Sequence, residues 1–140
     1  MKLRQINEES FAPYGKIIEF PEGMDTRFHI VYTEPNAPWR IAVLRVLEHC
    51  IEEMEEHPTT AESFEPVSGV AVLLLAEPCS PENQAAFLLD RPVCLYPGTW
   101  HQVMALSDCA IVKITENLEV PDTQFYHLAV PLTAALCPEE

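Results

Sequence analysis

Apolar side chains along this chain gather in short extended runs, and proline separates the runs. The pattern predicts strands over Lys16–Phe20, Arg27–Thr33, Arg40–Glu48, Phe64–Pro66, Val70–Ala76, Ala85–Leu89, Val93–Tyr96, His101–Ala105 and Ala110–Thr115. Asn7 is placed to cap a short helix through Ala12, and Thr133–Leu136 has the length of one helical turn. Thirteen prolines against four glycines leave no segment long enough for several substantial helices. Many short strands with proline-rich corners predict an all-β sandwich or barrel such as a jelly roll, with short peripheral helices. No repeat, low-complexity stretch or linker divides residues 1–140, so the reading is one domain.

Several runs are apolar on both faces, Val70-Ala-Val-Leu-Leu-Leu-Ala76 most clearly. One face of an antiparallel sheet usually meets water, so something must cover the other. A second copy of the chain would do so, and the expectation is a homodimer. Coverage by the terminal segments is the alternative.

Composition narrows the partners. Of 140 residues, 48% are apolar, which argues against disorder. Eight basic and 22 acidic side chains give a net charge of −14. That sign argues against nucleic acid or an anionic membrane as partner, since both need a basic face. An anionic ligand would need a local arginine or metal to reverse the field. The five cysteines (50, 79, 94, 109 and 137) lie at least 15 residues apart, without redox or zinc spacing. They read as small buried hydrophobes with free thiols. The N-terminus has no signal-like apolar region, and no uncharged apolar run approaches the ~20 residues of a membrane span. The expectation is a cytoplasmic protein.

Candidate chemistry begins at Glu55-Glu56-His57-Pro58. Alternate residues of an extended segment share a face, so Glu55 and His57 point the same way. Glu62 lies beyond a Pro-Thr-Thr turn and can return to that face. Much later, Pro97-Gly98 makes a tight turn and His101 begins the next strand. Glu55, His57, Glu62 and His101 would then form a two-nitrogen, two-oxygen set suited to one divalent metal: Ni, Mn, Fe or Zn. The alternative is a solvated acidic face made by Glu52, Glu53, Glu55 and Glu56.

This spacing resembles the two motifs of the cupin superfamily. Glu55-x-His57-x4-Glu62-x6-Gly69 follows the first motif with Glu55 in place of its first histidine, and Gly98-x2-His101 follows the second. A longer resemblance, over about residues 9 to 117, is to the ureidoglycolate lyase family, a cupin branch. It rests on Glu9-Ser-Phe-Ala-Pro-Tyr-Gly15, Arg27-Phe-His29, Ile41-Ala-Val-Leu-Arg45, Met54-Glu-Glu-His-Pro58, Glu62-Ser-Phe-Glu-Pro66, Ala86-Phe87, Gly98-Thr-Trp-His101 and the Ile111–Thr115 strand. The chain departs from the family at Tyr96 and Gln102, each in place of a histidine, and at Thr115-Glu116, in place of Asp-Arg.

The resemblance implies a cupin-type jelly-roll barrel that cleaves ureidoglycolate to glyoxylate and urea. Such a reaction takes the hydroxyl proton, breaks the C–N bond and protonates the leaving nitrogen. His101 and Glu55 are the candidates for this proton chemistry. Arg45 is the candidate for the substrate carboxylate, because the family keeps an arginine there and because Arg45 shares a strand face with Ile41, Val43 and Leu47. Arg40 has the opposite parity and is expected to point away. Phe64, Tyr96 and Trp100 are expected to line the substrate pocket. Two other readings stay open: a metal-bound cupin of another reaction type, and a non-catalytic cupin that binds a small carboxylate or a divalent metal.

Overall fold

The segment Ala110–Asn117 buries every second residue: Ala110, Val112, Ile114 and Glu116. Three of these are core hydrophobes and the fourth is an acid, so the same alternation that builds the barrel wall carries a carboxylate inside. The computed structural model describes residues 8–11, 18–34 and 37–133. After one turn of helix, α1 (Glu8–Phe11), come β1 (Phe28–Glu34), β2 (Ala37–Val46), β3 (Cys50–Glu56), β4 (Glu62–Ser68) and β5 (Ala71–Ala76). Then follow β6 (Ala85–Leu88), β7 (Val93–Leu95), β8 (Trp100–Ala105), β9 (Ala110–Asn117) and β10 (Gln124–Thr133).

These strands form two five-stranded antiparallel sheets, ordered β1-β2-β9-β4-β7 and β10-β3-β8-β5-β6. The result is an all-β jelly-roll barrel. Its core lies between the sheets: Val46, Phe64, Val112 and Ile114 from one meet Ala71, Leu73, Val103 and Ala105 from the other. Burying a Leu73- or Val112-sized side chain contributes roughly 1.5–3 kcal/mol, and the positions left over on these alternating strands become the site. Among the described residues no helix is long and apolar enough to cross a membrane.

The doubly apolar β5 is covered from within the chain. Its inner residues Ala71 and Leu73 join the main core. Its outer residues Leu74 and Ala76 join Ile51, Met54, Trp100 and Met104 in a second cluster, against which Tyr126, Leu128 and Leu132 of β10 pack. Leu74 and Ala76 are thus buried within a single chain, in a cluster to which the C-terminal strand β10 contributes, as the alternative of coverage by a terminal segment expects.

Other expectations shift. Neither β3 nor β10 is among the strands that the apolar pattern predicts. Acidic side chains interrupt the apolar pattern of β3, while Pro131 breaks up that of β10. Residues 18–20 lie outside any strand. Thr133 ends β10, while Asn7, Ala12, residues 16–17, residues 134–136 and Cys137 lie outside the described residues. The described cysteines are free but not buried: Cys50 and Cys109 are half-buried, and Cys79 and Cys94 are exposed. Cys79 sits in a turn, and Cys94 takes the outward position of its strand between Val93 and Leu95.

Gly69, at the turn into β5, has φ +71°. A Cβ there would stand 2.2 Å from the Cys109 carbonyl oxygen, so the β4–β5 corner closes against the β8–β9 corner only with glycine.

Candidate functional site

Local backbone bonds bring the two histidines together. Glu55 of β3 and His101 of β8 are direct partners across the sheet. His57 follows the end of β3, and its carbonyl accepts the Gly98 N–H at 2.8 Å. That bond ties the Pro97-Gly98 turn, in which Gly98 takes φ +81°, to the end of β3. The two imidazole rings stand 5.0 Å apart, centroid to centroid. Glu62, the first residue of β4, reaches them from the opposite sheet: its Oε2 lies 2.9 Å from His101 Nε2 and 3.3 Å from His57 Nε2. Glu55 Oε1 stands farther off, 3.7 Å from His57 Nε2 and 3.8 Å from His101 Nε2.

The outer nitrogens of both rings are already engaged. His101 Nδ1 lies 2.9 Å from the Thr99 carbonyl, which can only accept, so this nitrogen donates. His57 Nδ1 lies 3.0 Å from Thr123 Oγ1. In a neutral His101 the Nε2 lone pair therefore faces Glu62. Both Glu62 Oε2 and His101 Nε2 are buried and lack a well-directed hydrogen bond despite their 2.9 Å approach. Two lone pairs at that distance repel unless something positive sits with them. A proton on His101 would serve, and so would a divalent ion.

The titration behaviour agrees with that reading. Burial opposes the charge on Glu62, but His101 and His57 outweigh it and hold this carboxyl down to about 2. Burial also opposes the charge on His101, yet Glu62 outweighs it and raises this histidine above its ordinary value.

The residues present fit a metal ion. The ligand atoms of Glu55, His57 and His101 all lie within 4.8 Å of one another, and so do those of His57, Glu62 and Glu116. Mixed imidazole and carboxylate donors suit a borderline divalent ion. Outer-nitrogen bonds such as those to Thr99 and Thr123 fix the ring orientation that metal-binding histidines need.

A cavity of about 410 Å³ between the sheets is lined by Glu55, His57, Glu62, Glu116, Arg40 and neighbouring residues. Arg40 donates from Nε and Nη2 to Glu116 Oε1 at 3.0 and 2.6 Å, across the β2–β9 register that pairs the two residues directly. Burial, then the Glu62 charge, raise the Glu116 carboxyl above its ordinary value against the pull of Arg40.

Three expected pocket residues lie elsewhere. On β2 the inward residues are Arg40, with Ala42, Leu44 and Val46 in the same parity, so Arg45 points out. There its Nη2 donates to the Met24 carbonyl at 3.3 Å, and its guanidinium stacks 4.3 Å from the Phe20 ring centroid. Apolar neighbours mislead about this strand because Val43, in the parity of Arg45, is fully buried on the outer side of the sheet. Trp100 likewise points into the outer cluster, where its indole N–H donates to the Pro78 carbonyl at 3.2 Å. Its neighbour in sequence, His101, necessarily takes the other face. Tyr96 is 85% exposed and borders a separate, mainly apolar depression with Pro78 and Phe87. Phe64 does reach the site, with its ring edge-on to His101 at 5.4 Å.

Arg40, Glu116 and Thr123 also line the cavity, although the sequence motifs do not include them. For Glu116 a signal existed, since it continues the alternation of Ala110, Val112 and Ile114. Thr123 carries no such signal, because it lies just before β10, which the apolar pattern does not reveal.

Comparison with known proteins agrees with this architecture. The chain is 28% identical over 122 residues to a ureidoglycolate lyase of Agrobacterium fabrum, covering 72% of this chain and 74% of that one. It is 26% identical over 139 residues to a ureidoglycolate lyase of Rhizobium etli, covering 84% of each. No family model matches the chain. Its fold is similar to that of a cupin 2 domain-containing protein from Halorhodospira halophila, with a TM-score of 0.54 and 15% identity over 74% of this chain and 72% of that one. It is also similar to the capsular polysaccharide assembling protein CapF from Staphylococcus aureus, with a TM-score of 0.59 and 17% identity. That match covers 84% of this chain but only 32% of CapF. With sequence relatives of one name and a barrel of one type, the chain is similar to the ureidoglycolate lyases in sequence and to cupin barrels in fold.

Proposed function

We propose that the chain cleaves ureidoglycolate, a carboxylate with a carbinolamide centre, to glyoxylate and urea. The observation that carries the reading is the convergence of His57 Nε2, His101 Nε2 and Glu62 Oε2 beside the cavity, with two of these atoms buried and unpartnered. The names of the sequence relatives supply the substrate.

Glu55, His57, Glu62 and His101 would hold one divalent ion. When bound, the ion supplies Lewis-acid stabilisation of negative charge on the substrate hydroxyl oxygen. The chain's own residues do the rest. Arg40, rather than Arg45, holds the substrate carboxylate, since its guanidinium borders the cavity. Glu55 is the group in the set with a side chain still about one-third exposed, so it is the one that can meet substrate. Its carboxylate takes the hydroxyl proton as the C=O of glyoxylate forms. The C–N electron pair leaves with the urea nitrogen, and Glu55 returns the proton to that nitrogen. The buried side chains around His101 exclude bulk water.

Glyoxylate release from ureidoglycolate by protein loaded with nickel or manganese tests the reading. Release that disappears in His101→Ala supports it. Loaded protein that binds glyoxylate but releases none from ureidoglycolate would instead favour the second reading, a non-catalytic small-acid binder. The replacement of family residues at Gln102, Thr115 and Glu116 favours that reading.

A further inference from the structure

We propose that Glu116 is shared between Arg40 and the histidine–carboxylate group, so that a divalent ion and a small carboxylate bind cooperatively through this one side chain. The ligand class rests on the function proposed above. Three observations carry the inference.

First, the cavity has no spare cation for an anion. Two arginines line it among the described residues. Arg27 is paired with Glu48, and its side chain is 63% exposed. Arg40 is the inner one, and both of its donors named above go to a single oxygen of Glu116. Secondly, Glu116 has a second set of neighbours. Its ligand atom lies within 4.8 Å of those of His57 and Glu62. Thirdly, that set is incomplete: Glu62 Oε2 and His101 Nε2 are buried without directed partners.

With nothing positive in the set, Glu116 neutralises Arg40, and an incoming carboxylate must compete with a buried internal one. A divalent cation held by His57 and Glu62 draws the Glu116 charge toward itself. The guanidinium fork of Arg40 is then free for the external carboxylate. Linkage makes the effect reciprocal, so the carboxylate must tighten the ion by the same factor.

Calorimetric titration of glyoxylate into chelator-stripped and nickel-loaded protein, for wild type and Glu116→Gln, tests this. Gln keeps the shape and can still accept from Arg40, but it lacks the charge. Glu116→Asp keeps the charge and is the second variant should Gln fail to fold. Wild type should bind glyoxylate about ten- to a hundredfold more tightly when loaded, within the usual range of coupling between sites. Glu116→Gln should bind glyoxylate more tightly than wild type when stripped, and its nickel dependence should shrink to a few-fold. Glu116→Asp should retain a nickel dependence in the wild-type direction, and its loss there overturns the proposal. Nickel dependence of wild-type size in Glu116→Gln would assign the coupling to direct contact between acid and ion. That result overturns the proposal and leaves the proposed function standing. Absence of glyoxylate binding in every form overturns both.

Discussion

At the scale of single residues, the site turns on where two protons sit. His101 donates from Nδ1 to Thr99, so its Nε2 is either a lone pair or a second N–H beside Glu62. His57→Ala and His101→Ala should each abolish stoichiometric nickel binding in calorimetry, and binding like that of wild type would remove these residues as ligands. Thr123→Val should weaken nickel by about tenfold or more, the usual effect of losing a bond that orients a ligand. The pH dependence of the ion-free protein has a definite sign. Glu62 is depressed from 4.5 to about 2, so its contribution is present above 4.5 and is lost as pH falls toward 2. His101 is raised above 6.5, so its contribution is full below 6.5 and is lost as pH rises through the raised value. Urea midpoints of stripped protein should therefore peak between these limits and fall on the alkaline side. Nickel should remove the alkaline fall, because it takes the place of the His101 proton. A flat profile in stripped protein would refute the coupling of Glu62 to His101. The four residues of this group were legible in the sequence because they stand in the cupin motif order. Their outer-nitrogen partners were not, because a carbonyl and a lone threonine carry no pattern.

At the scale of elements, strand parity decides which arginine serves the cavity. The sequence offers Arg40 and Arg45 on opposite faces of one strand, and apolar neighbours alone cannot say which face is inner when both are buried. The β2–β9 register resolves it by setting Arg40 opposite Glu116. Arg40→Ala should cost glyoxylate binding about 2–3 kcal/mol, roughly 30- to 150-fold, as expected for a charged hydrogen-bonded contact. Arg45→Ala should leave that affinity unchanged and lose only the contacts to Phe20 and Met24. Equal affinities for wild type and Arg40→Ala would return the carboxylate to some other group. The corner at Gly69 makes a separate prediction. Gly69→Ala adds the left-handed backbone cost of ~1–2 kcal/mol and a clash with the Cys109 carbonyl. Thermal unfolding should show a loss of about 2 kcal/mol or more, and an unchanged midpoint would contradict the closed corner. Strand β10 was the element least visible in advance. Its Phe125-Tyr-His-Leu-Ala-Val130 run is extended enough, but Pro131 and the helix expected after it hide the strand that packs against the second cluster.

At the scale of the whole molecule, the site is assembled from both sheets. Glu55 and His101 come from β3 and β8 and His57 from just past the end of β3, whereas Glu62, Glu116 and Arg40 come from β4, β9 and β2. An ion held by the proposed ligands would therefore join the two walls of the barrel, and unfolding would have to release it. Nickel at 100 times its dissociation constant should add about 2.7 kcal/mol of stability, read as a rise in melting temperature. His101→Ala should erase that rise. The first argument for the dimer expected from sequence is weakened, since Leu74 and Ala76 on the outer face of β5 are already buried within one chain. The dimer keeps another in the exposed Phe87 and Leu88 of the edge strand β6. Sedimentation at micromolar concentration should give twice the 15.8 kDa of one chain, and a species of 15.8 kDa would exclude the dimer.

The alternation of β9 also sets fold against function. Ala110, Val112 and Ile114 are what a barrel wall requires, and the next inward position holds Glu116, whose ionisation burial and the Glu62 charge disfavour. A sequence selected for robustness alone would place a neutral side chain there. Glu116→Gln should therefore melt at a higher temperature than wild type when both lack the ion. The same exchange should remove the proposed cooperativity between ion and acid, a conflict of the kind known between stability and activity. A heat-resistant form of this protein obtained by unguided selection would be expected to carry its substitution at this position, and to have lost the ligand response in exchange.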